Sequence, residues 1–392
     1  MKSNPDTEAE KSRVIAVPCD TYDEDTVYRA IRAGLSALGP IRLKPTDRVL
    51  VKPNLLKPAD ADSAVTTHPV VLQAVLRWLA EYGCQDVLYG DSPGSETGAK
   101  VLTRLQLDLS VPLYGARFAP MTQEVRTPFP EGMTAKEFYF AEEVGQVDAV
   151  INVCKMKTHA LMGITGAVKN TFGLICGARK PMAHVQYPEP GLFARMLVDI
   201  QRCVRPAVHI MDAVIAMEGN GPGSGTPTPV NLLLFSADPV ALDAVFCRLI
   251  QVEPESIPTC AQGSAMGLGT YDTDRIRLLL AEPDADPTDI SMEAFCRRFG
   301  KPDFQAERGN SGLLAKGLGI LSRFSRRPVI HKERCVACGI CVSHCPVPGK
   351  ALSFRNGPGN PPVYDDQKCI RCYCCQELCP RQAITAGHRF PQ

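Results

Sequence analysis

The residues best equipped for chemistry in this sequence are its cysteines. Of the 17, nine fall in the 58 residues from Cys335 onward, and eight are scattered singly between Cys19 and Cys296. Cys335, Cys338, Cys341 and Cys345 stand in the run Cys-x2-Cys-x2-Cys-x3-Cys-Pro. Cys369, Cys372, Cys375 and Cys379 repeat it 34 positions later. Each run closes on a proline, Pro346 or Pro380, and a short apolar stretch follows, Ala351-Leu352 or Ala383-Ile384. Three thiolates in tight succession can wrap the corners of an iron–sulfur cube. Zinc takes four ligands from paired knuckles and does not require two triple runs, each closed by Cys-Pro. The ninth cysteine, Cys374, reads as a small buried residue, as free cysteines usually are. The same reading covers Cys19, Cys84, Cys203, Cys247 and Cys296.

The two runs resemble those of the bacterial two-cluster ferredoxins, in which the fourth cysteine of each run binds the other cluster. Position by position, the resemblance implies one [4Fe–4S] cluster on Cys335, Cys338, Cys341 and Cys379. It implies a second on Cys345, Cys369, Cys372 and Cys375. Neither cluster then forms without both halves, and the two lie close enough for electrons to pass.

A second set of polar residues follows apolar runs in the first 300 positions. Lys52 and Asn54 follow Val49–Val51, and Asp91 and Ser92 follow Asp86–Tyr89. Lys155, Lys157 and His159 follow Ala149–Val153, with Lys169 and Asn170 further on. Asp212 and Glu218 follow Val208–Met211, and Asp238 follows Leu232–Phe235. Lys155 and Lys157 alternate along a strand and so share a side. With Lys52 and Lys169 they would make a cationic crevice suited to a carboxylate or phosphate. Asn54, Asp91, Ser92, Asn170, Asp212 and Glu218 are further candidates for substrate binding. Lys155, Lys157 and His159 are the candidate catalytic residues, His159 as a proton donor because imidazole titrates near neutral pH. Asp91, Asp212 and Glu218 could hold Mg²⁺. Simpler readings compete: Asp238 caps a helix that starts at Pro239, Asp91 and Ser92 make a turn, and the lysines are solvated. The glycines of 219–225 and 94–98 match neither a dinucleotide nor a P-loop pattern. The 219–225 loop fits a flexible lid or a close backbone approach to a ligand.

These residues need strands and helices to place them. Strand candidates are Val14–Val17 and the five apolar runs above. Helix candidates between them are Asp25–Leu38, Pro69–Tyr82, Glu96–Leu105, Leu192–Val204 and Pro239–Ile250. Such alternation predicts an α/β fold, a mostly parallel sheet with helices on both faces. Ligands bind such sheets beyond the carboxyl ends of the strands. Residues 111–146 read as irregular and 176–190 as a loop. The expected organisation is an α/β body over 1–310, a docked linker over 311–328 and a small α+β ferredoxin-type domain over 329–392.

The 392 residues, 45% hydrophobic and 22% charged, suit two or three ordinary globular domains. The net charge of +1 divides unevenly: residues 1–315 carry 31 Lys/Arg against 38 Asp/Glu, and 329–392 carry eight against four. An acidic body and a basic tail attract. The first 13 residues lack the apolar core of a secretory signal, and no run of about 18 apolar residues occurs. No membrane span and no nucleic-acid partner are expected. The expected compartment is the cytoplasm, where clustered thiols mean metal or redox chemistry.

The strand-end segments together resemble the family labelled domain of unknown function 362. The matching stretches are Val51-Lys-Pro-Asn-Leu-Leu56, Gly90-Asp-Ser-Pro-Gly94, and Asn152 to His159 continuing to Gly166-Ala-Val-Lys-Asn170. The Asp212 to Gly225 loop and Ala237-Asp-Pro-Val-Ala-Leu-Asp243 complete the resemblance, which spans about residues 13–280. It implies an architecture and a site, with no reaction attached. Members are often fused to ferredoxin domains. Some carry export signals, and this sequence is expected to depart from them. Three functions are expected in turn. The first is a redox enzyme that passes cluster electrons between a redox partner protein and a small anionic substrate. The second is a non-enzymatic electron-transfer or assembly protein. The third is a non-redox, metal-dependent enzyme with structural clusters.

Overall fold

Successive residues of the apolar runs part to opposite sides of one sheet, as extended chain requires. Val14, Ala16 and Leu50 pack in one core; Ile15, Val17, Val49 and Val51 pack in the other. The computed structural model describes residues 11–94, 96–110, 112–177, 179–306, 326–355, 357 and 359–387.

The body runs β1 (Ser12–Pro18), α1 (Glu24–Leu38), β2 (Arg48–Lys52), α2 (Pro69–Tyr82), β3 (Asp86–Tyr89), α3 (Gly98–Arg104) and β4 (Arg117–Phe118). It continues with β5 (Glu124–Pro128), β6 (Glu137–Ala141), β7 (Ala149–His159), β8 (Gly163–Thr165), α4 (Ala167–Asn170), α5 (Arg179–Gln186) and α6 (Pro190–Val204). Then follow β9 (Val208–Glu218), β10 (Thr226–Ser236), α7 (Pro239–Leu249), α8 (Pro258–Ala265), β11 (Ile276–Leu280), β12 (Thr288–Asp289) and α9 (Met292–Phe299). The sheet order is β12-β11-β1-β10-β9-β7-β2-β3-β4, with β8 on β7. Helices α1, α2 and α3 cover one face; α6, α7 and α8 cover the other. The fold is α/β, with parallel pairing from β9 through β7, β2 and β3 to β4.

Several expectations change. β10 runs antiparallel to both β1 and β9. Its carboxyl end therefore lies at the edge opposite Lys52 and Asp91. Asp238 there caps α7, accepting from the Val240 and Ala241 amides at 2.8 and 3.0 Å. β7 and β9 extend well past their apolar runs because each keeps a paired neighbour, so Lys155, Lys157 and His159 lie inside a strand. Residues 219–225 are the turn of the β9–β10 hairpin. The supposedly irregular 111–146 contains the hairpin of β5 and β6. The supposed loop 176–190 contains α5, with Pro181 tolerated in its first turn.

In the tail, β13 (Arg327–Ile330) pairs with β16 (Ile384–Gly387), and β14 (Leu352–Ser353) with β15 (Val363–Tyr364). Helices α10 (Ile340–Ser343) and α11 (Cys374–Glu377) each start after a left-handed residue, Gly339 at φ 80° and Tyr373 at φ 61°. The sequence repeat is thus a backbone repeat. Residues 311–325 of the expected linker lie outside the described residues, and Arg327 and Pro328 belong to β13.

Candidate functional site

All 11 residues of β7 are buried, so its lysines must find partners. The Lys155 ammonium lies 2.8 Å from Asp212 Oδ2, its neighbour across the β7–β9 ladder, and donates to the Tyr22 hydroxyl at 2.8 Å. Asp212 also accepts from the Tyr22 hydroxyl and the His68 amide, each at 2.9 Å. Lys155 is therefore enclosed in a buried ion pair. Burial pulls its pKa down, and Asp212 opposes the fall.

Lys157 shares its face of the strand but lies beyond a bulge in the β7–β9 register. It donates to Asn54 Oδ1 and the Val65 carbonyl, both at 2.8 Å. With no carboxylate partner, burial and the charge of Lys169 hold its pKa well below the usual lysine range. Lys52 lies 2.9 Å from Asp91 Oδ1 and donates to Asn170 Oδ1 at 3.1 Å. Asn170 also accepts from Asn54 Nδ2 and donates to Asn152 Oδ1. Gly173 lies so close beneath the Lys52–Asp91 pair that a β-carbon would run into both side chains.

Beyond the carboxyl ends of β2, β3 and β7 lies a cavity with about 780 Å³ of empty space, its mouth included. Lys52, Asn54, Asp91, Ser92, Lys157, His159, Lys169 and Asn170 line it. Lys155 and Asp212 are not among its walls, and neither is Glu218, which accepts from the Gln305 amide at 2.8 Å. Asp91, Asp212 and Glu218 are thus each held by a different partner. Among the described residues no three His, Cys, Asp or Glu side chains converge as one metal ion requires. The expected Mg²⁺ has no common site.

Other walls had not been expected: Phe172, Lys180 and His184 from the body, and Cys374 and Glu377 from the tail. Lys180 and His184 stand four apart on α5, a spacing that shares a helix face, but three prolines in 176–190 made the segment read as a loop. Lys180 donates to the Ser92 carbonyl; burial pushes its pKa down to about 8. Cys374 and Glu377 carried no sequence signal, because only docking of the tail brings them to the body.

The docking is specific. Gln376 Nε2 donates to the carbonyls of Asn220 and Gly221 at 3.0 and 3.1 Å, and Asn220 Nδ2 to the Ile384 carbonyl at 3.3 Å. Lys57 donates to the Glu377 carbonyl at 3.3 Å. The glycine-rich 219–225 turn is thus a docking surface for α11. His159 Nδ1 accepts from the Leu161 and Met162 amides at 3.1 and 3.3 Å. The proton of the neutral ring therefore sits on Nε2, which lies 3.1 Å from Glu377 Oε1.

Burial pushes His159 and His68 down to about 4, and His184 and His209 down to about 3. The unfolded chain binds these four protons near pH 6.5, and the folded chain refuses them until far lower pH. The stability they contribute is present above about pH 6.5 and is lost as pH falls toward 4 and 3. Unfolding titrations between pH 7 and 4.5 should show this loss. His209→Gln, remote from the cavity, should reduce the linked uptake by about one proton; an unchanged slope would contradict a neutral buried imidazole there.

The tail thiols meet the demands of iron–sulfur cubes. Cys335, Cys338, Cys341 and Cys379 line one pocket of about 380 Å³. The thiols of Cys372, Cys369, Cys341 and Cys345 are near enough to act on that of Cys375, so the two runs lie against each other. Separate thiols around a pocket suit separate corners of a cube.

Residues 49–248 match the family described as Domain of unknown function (DUF362). The chain belongs to that family. Residues 327–380 match a 4Fe-4S dicluster domain, which makes it an iron–sulfur protein. The first match takes in every body segment that lines the cavity, and the second takes in all eight spaced cysteines. The chain is 34% identical over 259 residues to the thylakoid-associated protein of Synechocystis sp., covering 63% of this chain and 77% of that one. Among solved structures, the lactate racemase apoprotein from Thermoanaerobacterium thermosaccharolyticum aligns with a TM-score of 0.37 and 13% identity, over 62% of this chain and 58% of that one. A Thermotoga maritima protein aligns at 0.36 and 14%, over 63% and 60%. This chain spans less than two thirds of either structure. Among the described residues, no helix is long and apolar enough to cross a membrane.

Proposed function

We propose that this chain is an iron–sulfur oxidoreductase in which a small anionic substrate, bound in the body cavity, exchanges electrons with two [4Fe–4S] clusters in the tail. The supporting observation is the double duty of α11. It carries Cys375, a ligand of the second cluster on the spacing above, and it gives Cys374 and Glu377 to the cavity wall. Four lysines, Lys52, Lys157, Lys169 and Lys180, face two carboxylates there, Asp91 and Glu377. Clusters of this kind supply single electrons at potentials of about −700 to +450 mV, set by their surroundings.

The chain's own residues then have distinct parts. Lys52 is already neutralised by Asp91, so Lys157, Lys169 and Lys180 hold the anion. An arriving anion restores the charged form that burial disfavours in Lys157 and Lys180. Neutral His159, with its proton on Nε2, orients a substrate oxygen by hydrogen bonding. Giving that proton up would leave an imidazolate, so it acts as an orienting donor instead of an acid. Lys155 supports β7 from outside the cavity.

The test is anaerobic. Protein reduced by a chemical donor is mixed with a panel of small carboxylates and phosphorylated acids, and reoxidation is followed by visible absorbance. At least one anion should reoxidise it. Lys157→Met and Lys180→Met should weaken that anion by about 10- to 100-fold, the worth of one charge-assisted hydrogen bond. Reoxidation by no anion, or equal affinity in both variants, sinks the proposal.

A further inference from the structure

If the clusters lead to the cavity, as proposed above, electrons must reach them at a surface that the body leaves free. We infer that this surface is the face around Cys338 and that its partner is a small acidic electron-carrier protein.

The side of the second cluster is covered. Gln376 and Glu377 bind the body, Cys345, Cys372 and Cys375 are buried, and Cys369 is half-buried. The side of the first cluster is open. Cys338 is the one exposed cysteine of the nine in the tail. Val336 beside it is 58% exposed, and no other large apolar side chain of the described tail residues is as open. Val336, Cys338 and Arg381 rim the same pocket as the thiols of Cys335, Cys341 and Cys379. A partner seated there would touch the loop that wraps the first cluster.

Charge selects the partner. Lys332, Arg334 and Arg381 are exposed and make no ion pair among the described residues. Elsewhere in the tail Arg327 and Arg371 pair with Asp366 and Arg355 with Asp365; Lys350 donates to the Ser343 and Cys345 carbonyls, and Lys368 is a further exposed cation. The lone acid in the patch, Glu333, lies 3.5 Å from His331. The body carries a net −7 in its first 315 residues. An acidic carrier is thus repelled by the body and drawn to the tail, where three exposed cations gather on this face, the arrangement that speeds and orients encounter. Val336 supplies an apolar contact inside a cationic rim.

The experiment uses the full-length, cluster-loaded protein and photoreduced flavodoxin, a small acidic flavin protein. Stopped-flow absorbance follows cluster reduction without substrate. The wild-type rate should fall steeply with ionic strength. The triple variant Lys332→Glu/Arg334→Glu/Arg381→Glu should be reduced about 10- to 1000-fold more slowly at low salt. Its iron content and its reduction by photoreduced deazaflavin, a small reductant, should match wild type. Calorimetric binding of flavodoxin to the oxidised protein should weaken in parallel. A wild-type rate in the variant, a salt-independent rate, or no reduction of wild type by flavodoxin while deazaflavin succeeds overturns the inference. None of these readouts involves the cavity, so failure of the substrate proposal shows separately, as reduced clusters that no anion reoxidises.

Discussion

Lys155→Met is expected to destabilise the body by about 3–5 kcal/mol, because it strands the Asp212 carboxylate in a fully buried site. Tyr22 and His68 would still donate to Asp212, but no positive charge would remain beside it. Lys157→Met should cost far less, since Lys157 has only neutral partners and methionine replaces its volume. The double variant Lys155→Met/Asp212→Leu should recover much of the loss, because removing both charges removes the desolvation cost as well. The chain's single tryptophan, Trp78, lies in α2, so its fluorescence during denaturant unfolding reports on the body alone. A Lys155→Met protein as stable as wild type, yet blind to the anion, would return Lys155 to the binding site. Equal losses for Lys155→Met and Lys157→Met would show that β7 tolerates no change at either position.

Cys345→Ala should cost about half of the bound iron, and specifically the cluster held mainly by the second run, Cys369, Cys372 and Cys375. Cys374→Ala should keep all of it, because Cys374 lines the cavity and the spacing leaves it outside both ligand sets. Iron and sulfide analysis of anaerobically purified variants measures both. Spectroscopy of the half-loaded Cys345→Ala protein tells which cluster survives. If that protein loses the cluster of Cys335, Cys338 and Cys341 instead, the runs do not interleave. Full iron in Cys345→Ala with loss in Cys374→Ala would make Cys374 the ligand.

The two variants probe different kinds of information. The dicluster domain is legible in the chain because three cysteines of each run lie within seven residues and the run repeats after 34; which fourth cysteine joins which three is implied only by the ferredoxin resemblance. Local spacing is enough when the ligand group is itself small. The six principal strands and five principal helices are equally legible, because alternation of buried residues and helix caps are local signals. Asp238 before Pro239 reads as a cap and is one.

The direction of β10 was not legible. An apolar run such as Leu232–Phe235 pairs either way, and only the hairpin turn at 219–225 reverses it. Nor was the full length of β7: Lys155 and Lys157 read as the end of a strand, and only pairing with β8 and β9 carries that strand on to His159. The division of labour between Lys155 and Lys157 turned on which of them reached a carboxylate. Asp212 is 57 residues from Lys155, and nothing in the order of the chain announces the pair.

By itself, the sequence determined that this protein is an iron–sulfur protein and that its body is α/β. Tertiary structure alone decided that Lys155 is structural, that α5 carries Lys180 and His184 to the cavity, and that Cys374 and Glu377 of the tail complete the wall. The reason is distance along the chain. Cluster ligation and strand periodicity act within a few residues, whereas the cavity is closed by side chains from Lys52 to Glu377. Such side chains meet only when a packed sheet and a docked tail have already used up the chain's freedom.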